Sequence, residues 1–154
     1  MSAGDFASGI DWTRAALETS KDPLYTQFPR LSLGMCYVLC GDYRKAKDLL
    51  VEVLEFARSI GCRYLGTPAE CFLAVVLTYE GRFSDGMRML KKARRWWREN
   101  QALWRYTFSG LIIGDIYAAL ARRAAPVSWA SIIKNAMFLA KTLPFAAKRA
   151  ETHY

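Results

Sequence analysis

The sequence predicts an all-α fold of helical hairpins stacked in tandem, an α-hairpin solenoid, and three observations predict it. The chain repeats itself: Leu33-Gly34 recurs 40 residues on as Leu73-Ala74 and again as Ile113-Gly114. In the same register Tyr37 recurs as Leu77 and Tyr117, Gly41 as Gly81 and Ala121, and Tyr43 with Ala46 as Phe83 with Gly86. Self-similarity at a fixed period of about 40 residues is the mark of a repeat architecture. The apolar residues Tyr43, Ala46, Leu49, Leu50, Val53, Leu54 and Ala57 fall three and four apart, which draws one stripe down a helix. No stretch sustains period-two alternation, so no sheet is expected.

Taken in order, Gly4-Asp5-Phe6 with Gly9 echoes Gly41-Asp42-Tyr43 with Ala46 at an offset of 37, so the chain opens with the second helix of a hairpin. The predicted units are a half repeat over 4–24, repeats over 25–64 and 65–104, and a degenerate repeat with an extra helix over 105–154, all in one helical domain. Gly41, Gly61 and Gly81 stop helices, because glycine accepts the left-handed conformation at a C-terminus. Thr67-Pro68-Ala69-Glu70 reads as a capping box with proline at the first helical position, which predicts a helix from about Pro68. The next helix is predicted from about Phe83 to Glu99. Gly34, Ala74 and Gly114 put small residues in mid-helix, a sign of close approach between helices, and Tyr43 or Phe83 wedges between the helices of its unit. Beyond Ala121 the register fails: Ser128 caps a helix to about Thr142, and a short helix after Pro144 carries Ala146, Ala147 and Ala150.

Composition narrows the function classes. The chain has 154 residues, 53% hydrophobic and 23% charged, a balance that excludes intrinsic disorder and suits one domain. The longest apolar stretch, near Cys71 to Tyr79, is far below the roughly 18 residues a membrane span needs. Charges at Asp5, Asp11, Arg14 and Glu18 interrupt any secretory leader, so a soluble cytoplasmic protein is expected. Cys36, Cys40, Cys62 and Cys71 are then reduced thiols, and with His153 the only histidine, no metal or cofactor site is expected. No Gly-rich phosphate loop or Ser-His or Cys-His pairing stands out, so no enzyme is expected.

The run Leu-Gly, an aromatic three residues on, then Gly-x-aromatic-x-x-small resembles the tetratricopeptide repeat over roughly residues 4 to 121. It departs from that family in length, whose usual period is about 34. The longer repeats resemble those of bacterial multidomain adenylate/guanylate cyclases and maltose-regulator-type transcription activators, and Leu143-Pro144-Phe145 resembles their later repeats. The resemblance implies a right-handed superhelix and a binding or scaffold role inside a larger bacterial signalling protein. It also implies a chain cut from a longer polypeptide, with apolar ends open to homodimerisation.

By the same resemblance the first helix of each pair lines a concave groove. The matching positions are Leu31, Met35, Val38 and Leu39, then Cys71, Val75, Thr78 and Tyr79, then Leu111, Asp115 and Ala118. Such a groove suits an amphipathic helix or peptide, from a partner or from the parent chain. The Lys and Asn of a terminal-carboxylate clamp are absent. Asp115 is a candidate for a cation or a peptide amine, or else pairs with Arg105 or Arg122.

The charge is concentrated. The net charge is +8, and between Arg82 and Arg105 eight basic residues meet only Asp85 and Glu99. Like charges at Arg88/Lys92, Lys91/Arg95 and Arg94/Arg98 each destabilise an isolated helix by about 0.2–0.5 kcal/mol. Shifting back 40 residues sets Arg88 on Asp48, Lys92 on Glu52 and Arg95 on Glu55, which predicts an acid–base ladder. Lys91, Arg94, Arg95 and Arg98 form the candidate basic surface, for an acidic protein partner or, alternatively, for nucleic acid along helix 88–98 with Trp96 and Trp97 stacking on bases. Those two indoles lie about 100° apart on a helix, so only one can face inward fully.

Overall fold

The computed structural model describes residues 6–121 and 135–153. Among the described residues every regular element is helical: α1 (Phe6–Thr19), α2 (Pro23–Cys40), α3 (Tyr43–Ser59), α4 (Arg63–Tyr79), α5 (Phe83–Glu99), α6 (Leu103–Ala121), α7 (Ala136–Thr142), a 3-10 turn (Leu143–Phe145) and α8 (Ala146–Glu151). No described helix is long and apolar enough to cross a membrane. The cap expected at Ser128 lies outside the described residues.

The helices keep a beat of twenty residues. Starts at Pro23, Tyr43, Arg63, Phe83 and Leu103 succeed one another at that spacing. The turns explain it. Gly41, Gly61 and Gly81 hold φ of 80°, 68° and 77°, and the fourth position of the series is Gln101 at φ 56°. Each turn is closed by the same pair of hydrogen bonds. At the first, the N–H of Gly41 donates to Val38 and that of Asp42 to Tyr37; at the fourth, Gln101 donates to Arg98 and Ala102 to Trp97. This is the Schellman arrangement, which satisfies the last carbonyls of the helix, and the next helix begins two positions after each left-handed residue. α1 ends at Thr19, 40 residues before the end of α3 at Ser59, so the opening helix matches a second helix best at its C-terminal end.

The chain divides into two compact units, Met1–Leu73 and Ala74–Tyr154, with the boundary inside α4. In the first, α1 packs on α2 and α2 on α3. Asp22 caps α2, accepting from the backbone N–H of Leu24 at 2.8 Å and of Tyr25 at 3.0 Å, with Pro23 at the first helical position. A Cβ on Gly34 would stand 3.0 Å from the Leu50 side chain, and one on Gly66 3.2 Å from Ala57. The small residue at 34 is therefore a close-approach site, as its sequence position predicts.

The start of α4 differs from expectation. It begins at Arg63, and Pro68 lies inside the helix. The Gly61 turn forces an early start, and the Cys62 carbonyl takes the Gly66 N–H at 3.0 Å to open the first turn. Glu70 consequently does not cap: its buried carboxylate accepts from Arg63 at 3.3 Å and 3.5 Å.

In the second unit α5 packs on α6, and α6 on α8. Phe83, Met87, Leu90, Ala93 and Trp97 form the buried stripe of α5. A Cβ on Gly86 would stand 2.6 Å from the Ala74 carbonyl oxygen, so only glycine fits where α4 and α5 touch. The aromatic wedge at 83 is fully buried.

Within their own units, Glu52 lies 3.7 Å from Arg30 on α2, and Arg88 bonds Asp85 one turn back on its own helix.

Two substitutions test the turns and the close approach. Gln101→Gly relieves a left-handed non-glycine residue and is expected to raise stability by about 0.5–1 kcal/mol in a denaturant titration. Gly86→Ala forces a methyl on to backbone and is expected to lower it by about 1–3 kcal/mol.

Candidate functional site: a basic cleft on α5

Positions 84, 87, 88, 91, 92 and 95 fall on one face of α5, because they step by three and four along it. In the second unit this face meets Phe138 of α7 and forms an open cleft of about 410 Å³, lined by Ser84, Met87, Arg88, Lys91, Lys92, Arg95 and Phe138. Met87 is buried and Phe138 half-buried, while the four cations are exposed. The cleft thus has an apolar floor and a cationic rim.

One side chain ties α7 to α5. The buried amide of Asn135 donates to the Gly81 carbonyl at 2.6 Å and its oxygen accepts from the Ser84 N–H at 3.2 Å. The first bond meets a carbonyl at the left-handed turn, and the second meets one of the N–H groups that a helix start leaves open. Arg82 precedes α5 without a side-chain cap, so Asn135 supplies from a distance what the local sequence lacks.

Electrostatically the rim is unbalanced. Asp85 bonds both Arg82 and Arg88. Lys91, Lys92 and Arg95 lie beyond that carboxylate's ion pairs and project a positive field into the cleft. The C-terminal end of a helix favours cations, which offsets part of the repulsion near Arg95 and Arg98.

The sequence-derived basic surface divides. Lys91 and Arg95 line the cleft, joined by Arg88 and Lys92. Arg98 is exposed near the end of α5. Arg94 turns toward α6, its guanidinium carbon 4.1 Å from the Tyr106 ring centroid. Trp97 is 2% exposed and Trp96 half-buried, so Trp97 offers no face to a base.

The groove residues also divide, and each unit is taken alone. In the first, Leu31, Val38 and Cys71 are buried, Met35 is half-buried and Leu39 exposed. In the second, Thr78 is buried with its hydroxyl donating to Ala74 at 2.9 Å, Val75 and Ala118 are half-buried, and Tyr79, Leu111 and Asp115 are exposed. The buried members present no surface to a ligand. α6 adds an exposed apolar row of Leu103, Trp104, Phe108 and Leu111, in which the Trp104 and Phe108 rings stand 6.4 Å apart.

Two thiols, Cys36 and Cys71, are held protonated. Burial first and the Cys40 thiol second raise Cys36, and burial with Glu70 nearby pushes Cys71 far up. Both are poor nucleophiles at neutral pH. Among the described residues no three of His, Cys, Asp and Glu gather as a metal site.

Asn135 and Phe138 escaped sequence reasoning. The bonds of Asn135 reach back more than fifty positions, and nothing in the local pattern marks either residue. Comparison with known proteins finds no match: no family model, no curated protein and no solved structure.

Asn135→Ala should strand a buried carbonyl and free α7 from α5. Thermal melts are expected to show a loss of about 1–3 kcal/mol, with Asn135→Asp intermediate because it keeps the acceptor but not the donor.

Proposed function

We propose that the chain is a non-catalytic interaction module of tetratricopeptide-like repeats, whose second unit docks an acidic amphipathic segment of a partner protein on α5. The observation that carries this reading is the cleft itself, four exposed cations around an apolar floor of Met87 and Phe138. Acidic side chains on one face of a helix would meet the rim, and one or two apolar side chains would enter the floor. The twenty-residue beat, the glycine turns and the small residues at 34 and 86 support the tetratricopeptide-like class. The buried state of Trp97 favours a protein partner over nucleic acid, since it removes an aromatic platform on which bases would stack. A place in a larger bacterial signalling protein remains part of the proposal through the repeat pattern alone.

The test is fluorescence anisotropy with a helical peptide bearing Glu at three- and four-residue spacings and Leu on the opposite face. Lys92→Glu with Arg95→Glu should weaken its binding about tenfold or more. Phe138→Ala should weaken it similarly, because burying one large apolar side chain contributes about 1.5–3 kcal/mol. Random duplex DNA bound more tightly than the peptide, with affinity falling by orders of magnitude between about 50 and 200 mM salt, would replace this reading with the nucleic-acid one.

A further inference from the structure

On the flank of α5 that faces α6, three features converge on Gly110. The first is the Arg94 guanidinium. It stacks on Tyr106 at 4.1 Å, and its Nε is buried with no hydrogen-bond partner. No carboxylate forms an ion pair with it among the described residues. A cation partly withdrawn from water with an unmet donor is costly unless an anion or acceptor completes it. The second is His153, whose imidazole lies stacked over Tyr117 with ring centroids 6.1 Å apart. The third is the glycine. A methyl at Gly110 would meet Arg94 Nη2 at 3.6 Å, Arg94 Nε at 4.0 Å and His153 Nδ1 at 4.0 Å, all ordinary contacts. Nothing steric therefore demands glycine in the middle of α6, where alanine is the better helix former. The space over its Cα is bounded by two nitrogen-bearing groups.

We infer that Arg94 and His153 form a small oxyanion site over Gly110, which takes one phosphate or carboxylate group. The guanidinium would turn to present Nε–H and an Nη–H to the anion as a fork, and His153 would close the other side. Arg94 and Lys91 of α5 are the cations felt by the imidazole, and Arg149 of α8 stands over Tyr117, 5.7 Å from its centroid. Burial first, then Arg94 and Lys91, hold the imidazole below its ordinary value. An oxyanion reverses that balance, since it stabilises imidazolium, so binding should raise the histidine's pKa and strengthen as pH falls through that range.

With one histidine in the chain, the readout is a single proton NMR signal, the Hε1 of His153. The full chain is titrated in pH with sodium chloride, inorganic phosphate or acetate at one constant ionic strength. Phosphate is expected to raise the His153 midpoint by on the order of one pH unit over chloride. Arg94→Gln and Gly110→Ala should each abolish the rise while circular dichroism stays helical. Gly110→Ala fits its surroundings, so it decides the matter even where Arg94→Gln perturbs folding. A rise with acetate and none with phosphate identifies a carboxylate-bearing ligand instead. No rise with either anion, or a rise that survives either substitution, overturns the site. None of these outcomes depends on peptide binding at the Phe138 cleft.

Discussion

A left-handed residue every twenty positions is the constraint on which the rest of this molecule depends. At Gly41, Gly61 and Gly81 the chain reverses by the same two hydrogen bonds, and each time the next helix starts two positions after the glycine. Fixing both ends in this way fixes helix length at 17 residues for α3, α4 and α5. Equal lengths set the register of side chains along each helix, and hence which face of α5 carries Arg88, Lys91, Lys92 and Arg95. The turn sets more than its own geometry: it displaces the start of α4 upstream of a good capping sequence and leaves Pro68 within the helix.

The charged helix persists because burial outweighs repulsion. Three like-charge pairs on α5 oppose it by about 0.2–0.5 kcal/mol each. Against them stand Phe83, Met87, Leu90 and Trp97, nearly or wholly buried, each contributing about 1.5–3 kcal/mol. The polar face is thus released from any structural duty and can hold an excess of one charge. Asn135 then brings Phe138 beside it, which turns a charged helix face into a cleft with a floor.

Much of this was legible in the sequence because it is local. Helical periodicity, the 40-residue register and the glycine stops are all written within short windows, and they predict the helices from α2 to α6. The close approach at Gly34 was legible for the same reason. The start of α4 was not, since the capping box at Thr67 competed with a turn whose reach is set by Gly61. Among the candidate site residues, Lys91 and Arg95 join the cleft while Arg94 turns away to Tyr106, a division that depends on where α6 lies. Gln101 in a left-handed turn carried no signal either, because only its place in the series marks it. Long-range polar bonds such as those of Asn135 leave no periodic trace, so the apolar half of the cleft stayed hidden.

Backbone amide shift mapping of the isotope-labelled chain, titrated with the acidic amphipathic peptide, tests the central claim most directly. The account predicts shifts concentrated at residues 84–95 of α5 and around Asn135 and Phe138. Shifts centred instead on Met35 and Leu39, or on Tyr79 and Leu111, would place the partner in the repeat groove and contradict it.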